Sequence, residues 1–153
     1  MDSLWRLYQA APHHAAVGAI RVLLADDVDR IRRVLRDLLE IDGRFAVVAE
    51  AADGVEAVRQ AGLHQPDAAV LDVCMPLLDG IEALPMITAC SPGTRVVVSS
   101  SYDSVEMSRR ALAAGAAAYV EKGTSVSELI DALLEACRAP EAVAPTHVAA
   151  GTT

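Results

Sequence analysis

Apolar residues in this chain fall into five short runs, each closed by polar residues and followed by a stretch with helical spacing. The runs are Ile20–Ala25, Phe45–Ala49, Ala68–Leu71, Arg95–Val98 and Ala118–Val120. Their length and near-continuous apolar character predict strands buried on both faces. After the first run, Ile31, Val34, Leu35, Leu38 and Leu39 recur at i, i+3, i+4, i+7 and i+8, a helical stripe, with Gly43 as its stop. Gly54 to Ala61 predicts a short helix with Val55, Val58 and Ala61 inward. Met75-Pro76-Leu77-Leu78-Asp79-Gly80 reads as a loop, followed by a helix near Ile81 to Ala89 in which Pro85 is awkward. Asp103 and Glu106 resemble a capping pair for a helix that ends at Ala114 and is closed by Gly115. Ser125 and Glu128 form a capping-box pattern for a last helix with Leu129, Leu133 and Ala136 on its apolar face. Five βα units in succession predict an α/β fold, a doubly wound parallel sheet with helices on both faces.

The strand ends carry the chemistry. Asp26-Asp27 follow the first run, Asp72 the third, Ser99-Ser100-Ser101 the fourth, and Lys122 the fifth. If the strands are parallel, three carboxylates, a hydroxyl and an ammonium meet at the carboxyl edge of one sheet, where open α/β sheets place ligands. Mg²⁺ takes one or two carboxylates, keeps several waters and accepts phosphate oxygens. Asp26, Asp27 and Asp72 are therefore candidate metal ligands. Asp72 is also a candidate nucleophile, because a carboxylate can form an acyl phosphate and is already ionised. Lys122 offers a point charge and Ser100 a hydrogen-bond donor to phosphoryl oxygens. All four histidines lie outside the strand ends.

Composition narrows the class. The chain has 153 residues, enough for one domain with a real core. It is 53% hydrophobic but only 3% aromatic, so Ala, Val, Leu and Ile must build that core. Net charge is −8, against the basic stripe a nucleic-acid binder needs. Arg30, Arg32, Arg33 and Arg36 stand near Asp29, Asp37 and Glu40 and read as a solvated helix surface. Direct nucleic-acid binding is not expected of this chain. Cys74, Cys90 and Cys137 are odd in number and widely spaced, unlike a disulfide framework or zinc site. No run reaches membrane-spanning length, and the segment from Ala15 to Ala25 is a poor secretory signal, interrupted by Arg21. The expectation is a cytoplasmic protein without membrane attachment. Residues 1–19 read as an extension with a short helical face around Trp5, 20–139 as the domain, and 140–153 as a disordered tail.

With these residues in order, the chain resembles the receiver domain of two-component response regulators. The resemblance spans about Ile20 to Arg138 and rests on Asp26-Asp27, Leu71-Asp72-Val73-Cys74-Met75-Pro76, Asp79-Gly80, Ser100, Gly115-Ala116, Tyr119 and Lys122. It implies a flavodoxin-like sheet of order 2-1-3-4-5. It also implies that Asp72 is the phosphoacceptor, supplied by a histidine kinase or phosphotransfer protein. Mg²⁺ would be held by Asp27, Asp72 and the carbonyl of Cys74, with Asp26 acting through water. Lys122 and Ser100 would bind phosphoryl oxygens, and Tyr119 would be the aromatic switch. The surface of the fourth helix, fifth strand and fifth helix would then engage a downstream protein, and pairing between two copies through that region is a further implication. Cys74 and Tyr102 occupy positions that tune acyl-phosphate hydrolysis in the family.

Two features depart from the common pattern. Gly123 follows Lys122 where many receivers have proline, a form that resembles receivers fused to helix-turn-helix output domains. No such domain follows Pro140 in this sequence, so a stand-alone receiver is expected, with a fragment of a DNA-binding regulator as the alternative. The chain is not expected to be an enzyme beyond its own phosphorylation chemistry. An aspartyl-phosphate hydrolase usually has an acidic residue where Cys74 stands, and an interaction-only receiver has usually lost one of the acidic or lysine residues, all present here.

Overall fold

The computed structural model describes residues 18–102 and 104–138. The expectations for the extension around Trp5, for Asp103 and for the tail fall outside these residues. The described elements alternate as β1 (Ile20–Ala25), α1 (Asp29–Asp42), β2 (Phe45–Ala51), α2 (Gly54–His64), β3 (Ala68–Asp72), α3 (Gly80–Cys90), β4 (Arg95–Ser100), α4 (Val105–Ala113), β5 (Ala118–Glu121) and α5 (Val126–Arg138). All strand pairs are parallel and the order is β2-β1-β3-β4-β5. This is the flavodoxin-like doubly wound sheet expected. Chain order reverses between β1 and β3, which makes their carboxyl ends the crevice of the sheet.

Strand alternation sorts the core into two layers. Leu23, Ala25, Ala69, Leu71, Val96 and Val98 face a cluster built with α2, α3 and α4. Val22, Leu24, Val70 and Val97 face the opposite cluster, built with Leu39 of α1 and Leu129, Leu133 and Ala136 of α5. The apolar face read for the last helix is therefore the buried one.

Two other helix faces differ from their sequence reading. Val34 of α1 is 50% exposed, and Leu35 and Leu39 make the core contact instead. Val55 of α2 is 54% exposed, while Gly54, Ala57 and Ala61 are buried. The cause in α2 is close approach: a Cβ on Gly54 would lie 2.0 Å from the carbonyl oxygen of Leu78. A face selected by backbone proximity favours Gly and Ala over the larger Val. Helix α3 runs unbroken through Pro85, which sits on its exposed side and crowds no neighbouring element. Helix α4 is capped by Ser104, whose side chain accepts the Met107 N–H at 3.2 Å.

The loop after β3 is pinned from both ends. Asp79 caps α3 by accepting the Glu82 N–H. The Gly80 N–H donates to the Val73 carbonyl at 2.9 Å. A Cβ on Gly80 would stand 2.1 Å from the Asp72 carbonyl oxygen, so only glycine lets this turn close against the end of β3. Gly80→Ala is expected to destabilise the fold by about 2 kcal/mol or more, as overpacking against backbone does. Urea denaturation measures this, and a midpoint equal to wild type would contradict the close approach.

Candidate functional site

Local backbone bonds deliver each side chain to the sheet edge. β1 reaches Asp26, whose N–H still bonds the Ala51 carbonyl at 3.0 Å. The chain then turns: Oδ1 of Asp26 accepts the Val28 N–H at 2.9 Å, the local aspartate turn that competes with continuing a strand. β3 ends at Asp72, and β4 at the fully buried Ser100. One residue past β5, the Lys122 N–H bonds the Ser100 carbonyl at 2.7 Å and aims its side chain across the sheet.

Lys122 is the junction. Its Nζ lies 2.6 Å from Oδ2 of Asp26 and 3.2 Å from Oδ2 of Asp72. Both carboxylates are almost fully buried. Carboxylate oxygens of Asp26, Asp27 and Asp72 all lie within 4.8 Å of one another, and Asp27 is exposed. Three hard oxygen donors at this separation fit Mg²⁺ and do not resemble a site for a thiophilic metal. Asp26 has both carboxylate oxygens hydrogen-bonded, one by Val28 and one by Lys122, whereas Asp27 opens to solvent.

The remaining expected residues cluster around the same edge. The Cys74 N–H donates to Oδ1 of Asp72 at 3.3 Å, and Cys74 itself is exposed. The Ser100 Oγ accepts the Tyr102 N–H at 3.1 Å and keeps its own proton to donate. Tyr119, on β5, packs half-buried against the α2–α3–α4 side of the core, and its hydroxyl donates to the Tyr102 carbonyl at 2.5 Å. Interaction with the Cys74 side chain pushes the Tyr102 hydroxyl above the ordinary phenol value.

Two site neighbours escaped the sequence reading. Arg32, read as part of a solvated surface, has a side chain only 14% exposed and donates to the Asp26 carbonyl at 2.6 Å. Glu50 on β2 receives both Arg32 and Arg36. Its signal was present as a lone acidic residue inside an apolar strand.

Electrostatics follow from burial and like charge. Burial, and next the Asp26 charge, raise Asp72 above the usual carboxylate range, and Lys122 opposes them only in part. Lys122 is subject to burial too, which favours its neutral form, but its hydrogen bond to Asp26 and the charges of Asp72 and Asp26 outweigh that and raise it. Asp72 thus holds its proton more tightly in the folded chain than in the unfolded one. Its ionisation leaves stability intact at acidic pH and lowers it as pH climbs through the raised value. In metal-free buffer at pH 7, Asp72→Asn is therefore expected to raise the unfolding midpoint, and the gain should vanish near pH 3. Thermal melts at both pH values test this; a lower midpoint at pH 7 would refute the sign.

Comparison with known proteins agrees with the geometry. The response regulator receiver domain family matches residues 22–134. The transcriptional regulatory protein PdtaR of Mycobacterium tuberculosis is 42% identical over 113 residues, 74% of this chain and 54% of PdtaR. The chain thus spans about half the length of that relative. The chemotaxis protein CheY of Halobacterium salinarum is 36% identical over 115 residues, 75% of this chain and 94% of that protein. The solved signal receiver domain of the response regulator NarL from Mycobacterium tuberculosis superposes with a TM-score of 0.75 at 31% identity, covering 79% of this chain and 98% of that one. With its parallel sheet, its acidic crevice and these likenesses, the chain belongs to the response regulator receiver domain family.

Proposed function

We propose that this chain is a phosphorylation-controlled switch in which Asp72 accepts a phosphoryl group from a phosphohistidine donor, a histidine kinase or phosphotransfer protein. One observation carries the reading: the Lys122 ammonium bridges Asp26 and Asp72 beside a third carboxylate at the crevice of the sheet. An ionised oxygen of Asp72 attacks phosphorus in line. The donor's P–N bond breaks, and its electron pair leaves on the imidazole nitrogen. Nothing further is needed as base, since the nucleophile is a carboxylate. Asp27, Asp72 and the Cys74 carbonyl would hold Mg²⁺, with Asp26 acting through water, and the ion would supply charge neutralisation for the phosphoryl oxygens. Lys122 meets one of those oxygens and Ser100 donates its free proton to another. Positioning and charge are most of what a loose phosphoryl-transfer transition state asks of a protein.

The new contacts at Lys122 and Ser100 exist only in the phosphorylated state, so they alone can shift a conformational balance. Ser100 is tied through the Tyr102 amide to the loop that also holds the Tyr119 hydroxyl. A move of Ser100 toward phosphate therefore reaches β5. The read-out surface is the α4–β5–α5 face, where a cleft of about 470 Å³ is lined by Val105, Ser108, Tyr119, Thr124 and Glu128 among others. A downstream protein docking there, or a second copy of the chain, would complete the signal in the cytoplasm. Among the described residues no helix is long and apolar enough to cross a membrane.

Acetyl phosphate with Mg²⁺ should add one phosphoryl group by intact mass. Asp72→Ala should add none; an adduct of equal yield in that variant would refute the assignment. Tyr102, resting on Cys74 beside Asp72, should screen attacking water. Tyr102→Ala is expected to speed loss of the phosphoryl group several-fold in a time course, and an unchanged lifetime would count against the tuning role. A screened acyl phosphate should decay slowly, and loss of the wild-type phosphoryl group within seconds in Mg²⁺ buffer would contradict that.

A further inference from the structure

Among the arginines of α1, Arg30 and Arg33 stand exposed, but Arg32 is largely buried and reaches the backbone of the acid cluster. Arg32 spreads its guanidinium over three partners: Nη1 donates to the Asp26 carbonyl at 2.6 Å, Nη2 to Oδ1 of Asp29 at 3.0 Å, and Nε lies 3.4 Å from Oε1 of Glu50. Its planar fork directs two of these as hydrogen bonds, while the Glu50 carboxylate pairs with it by charge and leaves Nε without a hydrogen bond. Glu50 holds it from the neighbouring strand, and Arg36 closes on the other oxygen of the same carboxylate. Glu50 is itself fixed, because its strand position pairs in register with Leu24 of β1.

The carbonyl that Arg32 grips belongs to the peptide joining Asp26 to Asp27. That peptide is planar, so fixing its oxygen fixes the direction in which the Asp27 Cα leaves the strand. The N–H of Asp26 is already held by the Ala51 carbonyl, and its side chain by Val28 and Lys122. Asp27, exposed and next in the chain, gains no comparable restraint of its own among these contacts, so its placement depends on the peptide before it. We propose that Arg32, steadied by Glu50, is a positioning residue that sets the Mg²⁺ affinity of the acid cluster by fixing the Asp26–Asp27 peptide. This rests on the reading of Asp26, Asp27 and Asp72 as a Mg²⁺ site.

The test is Mg²⁺ binding by calorimetry on the full chain without any phosphoryl donor, alongside thermal melts. Arg32→Met is expected to weaken Mg²⁺ binding about tenfold, the lower end of what losing an outer support of a metal ligand costs. Arg36→Met, which also removes a partner of Glu50 but leaves the Asp26 carbonyl held, is expected to bind within about twofold of wild type, near the scatter of nearest-neighbour coupling. Arg32→Lys keeps the charge and reaches one acceptor at a time, so it should recover only part of the loss; should Arg32→Met not fold, this variant carries the comparison. Wild-type affinity in a folded Arg32 variant, or an equal loss in Arg36→Met, overturns the positioning role. Asp27→Asn separates this from the underlying reading. If wild type binds no Mg²⁺, or Asp27→Asn binds it as well as wild type does, the metal-site reading itself falls and takes the role of Arg32 with it.

Discussion

Lys122 holds the carboxyl edge of this sheet together. Three carboxylates converge there, two of them buried, and like charges about 4 Å apart repel by roughly 4 kcal/mol at an effective dielectric near 20. A single ammonium meets Asp26 and Asp72 at once and turns a repelling set into an alternating one. The requirement reaches far into the fold. β1, β3 and β5 must lie in one sheet, with Asp26 after β1, Asp72 at the end of the neighbouring β3 and only β4 between β3 and β5, and β5 must end at the residue before Lys122. The Lys122 N–H on the Ser100 carbonyl sets that end. Removing the cation would leave buried charge without compensation, the most destabilising way to break an ion pair.

A second constraint sits two residues beyond β4. Tyr102 touches Ser100 with its amide, Tyr119 with its carbonyl and Cys74 with its side chain. Three neighbours that belong to three different strand ends or loops thus share one residue. The Ser100 hydroxyl and the Tyr119 hydroxyl are thus both held by the backbone of one loop residue.

The parallel sheet and the strand-end cluster were legible because each is written locally, whereas the strand order came from the family resemblance. Short apolar runs separated by helical spacing specify strands and crossovers, and parallel strands force the residues after them onto one edge. The inward faces of α1 and α2 were less legible. Hydrophobicity favours Val34 and Val55, but α1 packs through Leu35 and Leu39, and in α2 the close approach of Leu78 to Gly54 turns Gly54, Ala57 and Ala61 inward and leaves Val55 outside. Ser104 caps α4, next to the Asp103 that the spacing favoured, because serine and aspartate are near-equal caps and sequence does not separate adjacent ones. Arg32 was hidden for a different reason. Whether an arginine is solvated or buried depends on a carboxylate supplied by another strand, and Glu50 becomes its neighbour only once β2 pairs with β1.

Adjacent aspartates in a strand-to-helix turn look equivalent in a sequence, yet the fold separates them. Asp26 is buried, with both carboxylate oxygens, its N–H and its carbonyl all engaged by protein groups. It is an anchor that holds Lys122 and shapes the turn. Asp27 stands exposed with its carboxylate turned to the same crevice as Asp72. Strand alternation explains the division: successive side chains leave on opposite sides, and only the turn after Asp26 brings the second one back to the first. The geometry of that turn therefore decides whether the exposed Asp27 carboxylate faces the crevice beside the buried Asp72. The turn is held by the Asp26 side chain on one side and the Arg32 fork on the other, so contacts within the chain set the spacing of the crevice. Carboxylates held this close carry a standing cost to stability, which Lys122 offsets in part.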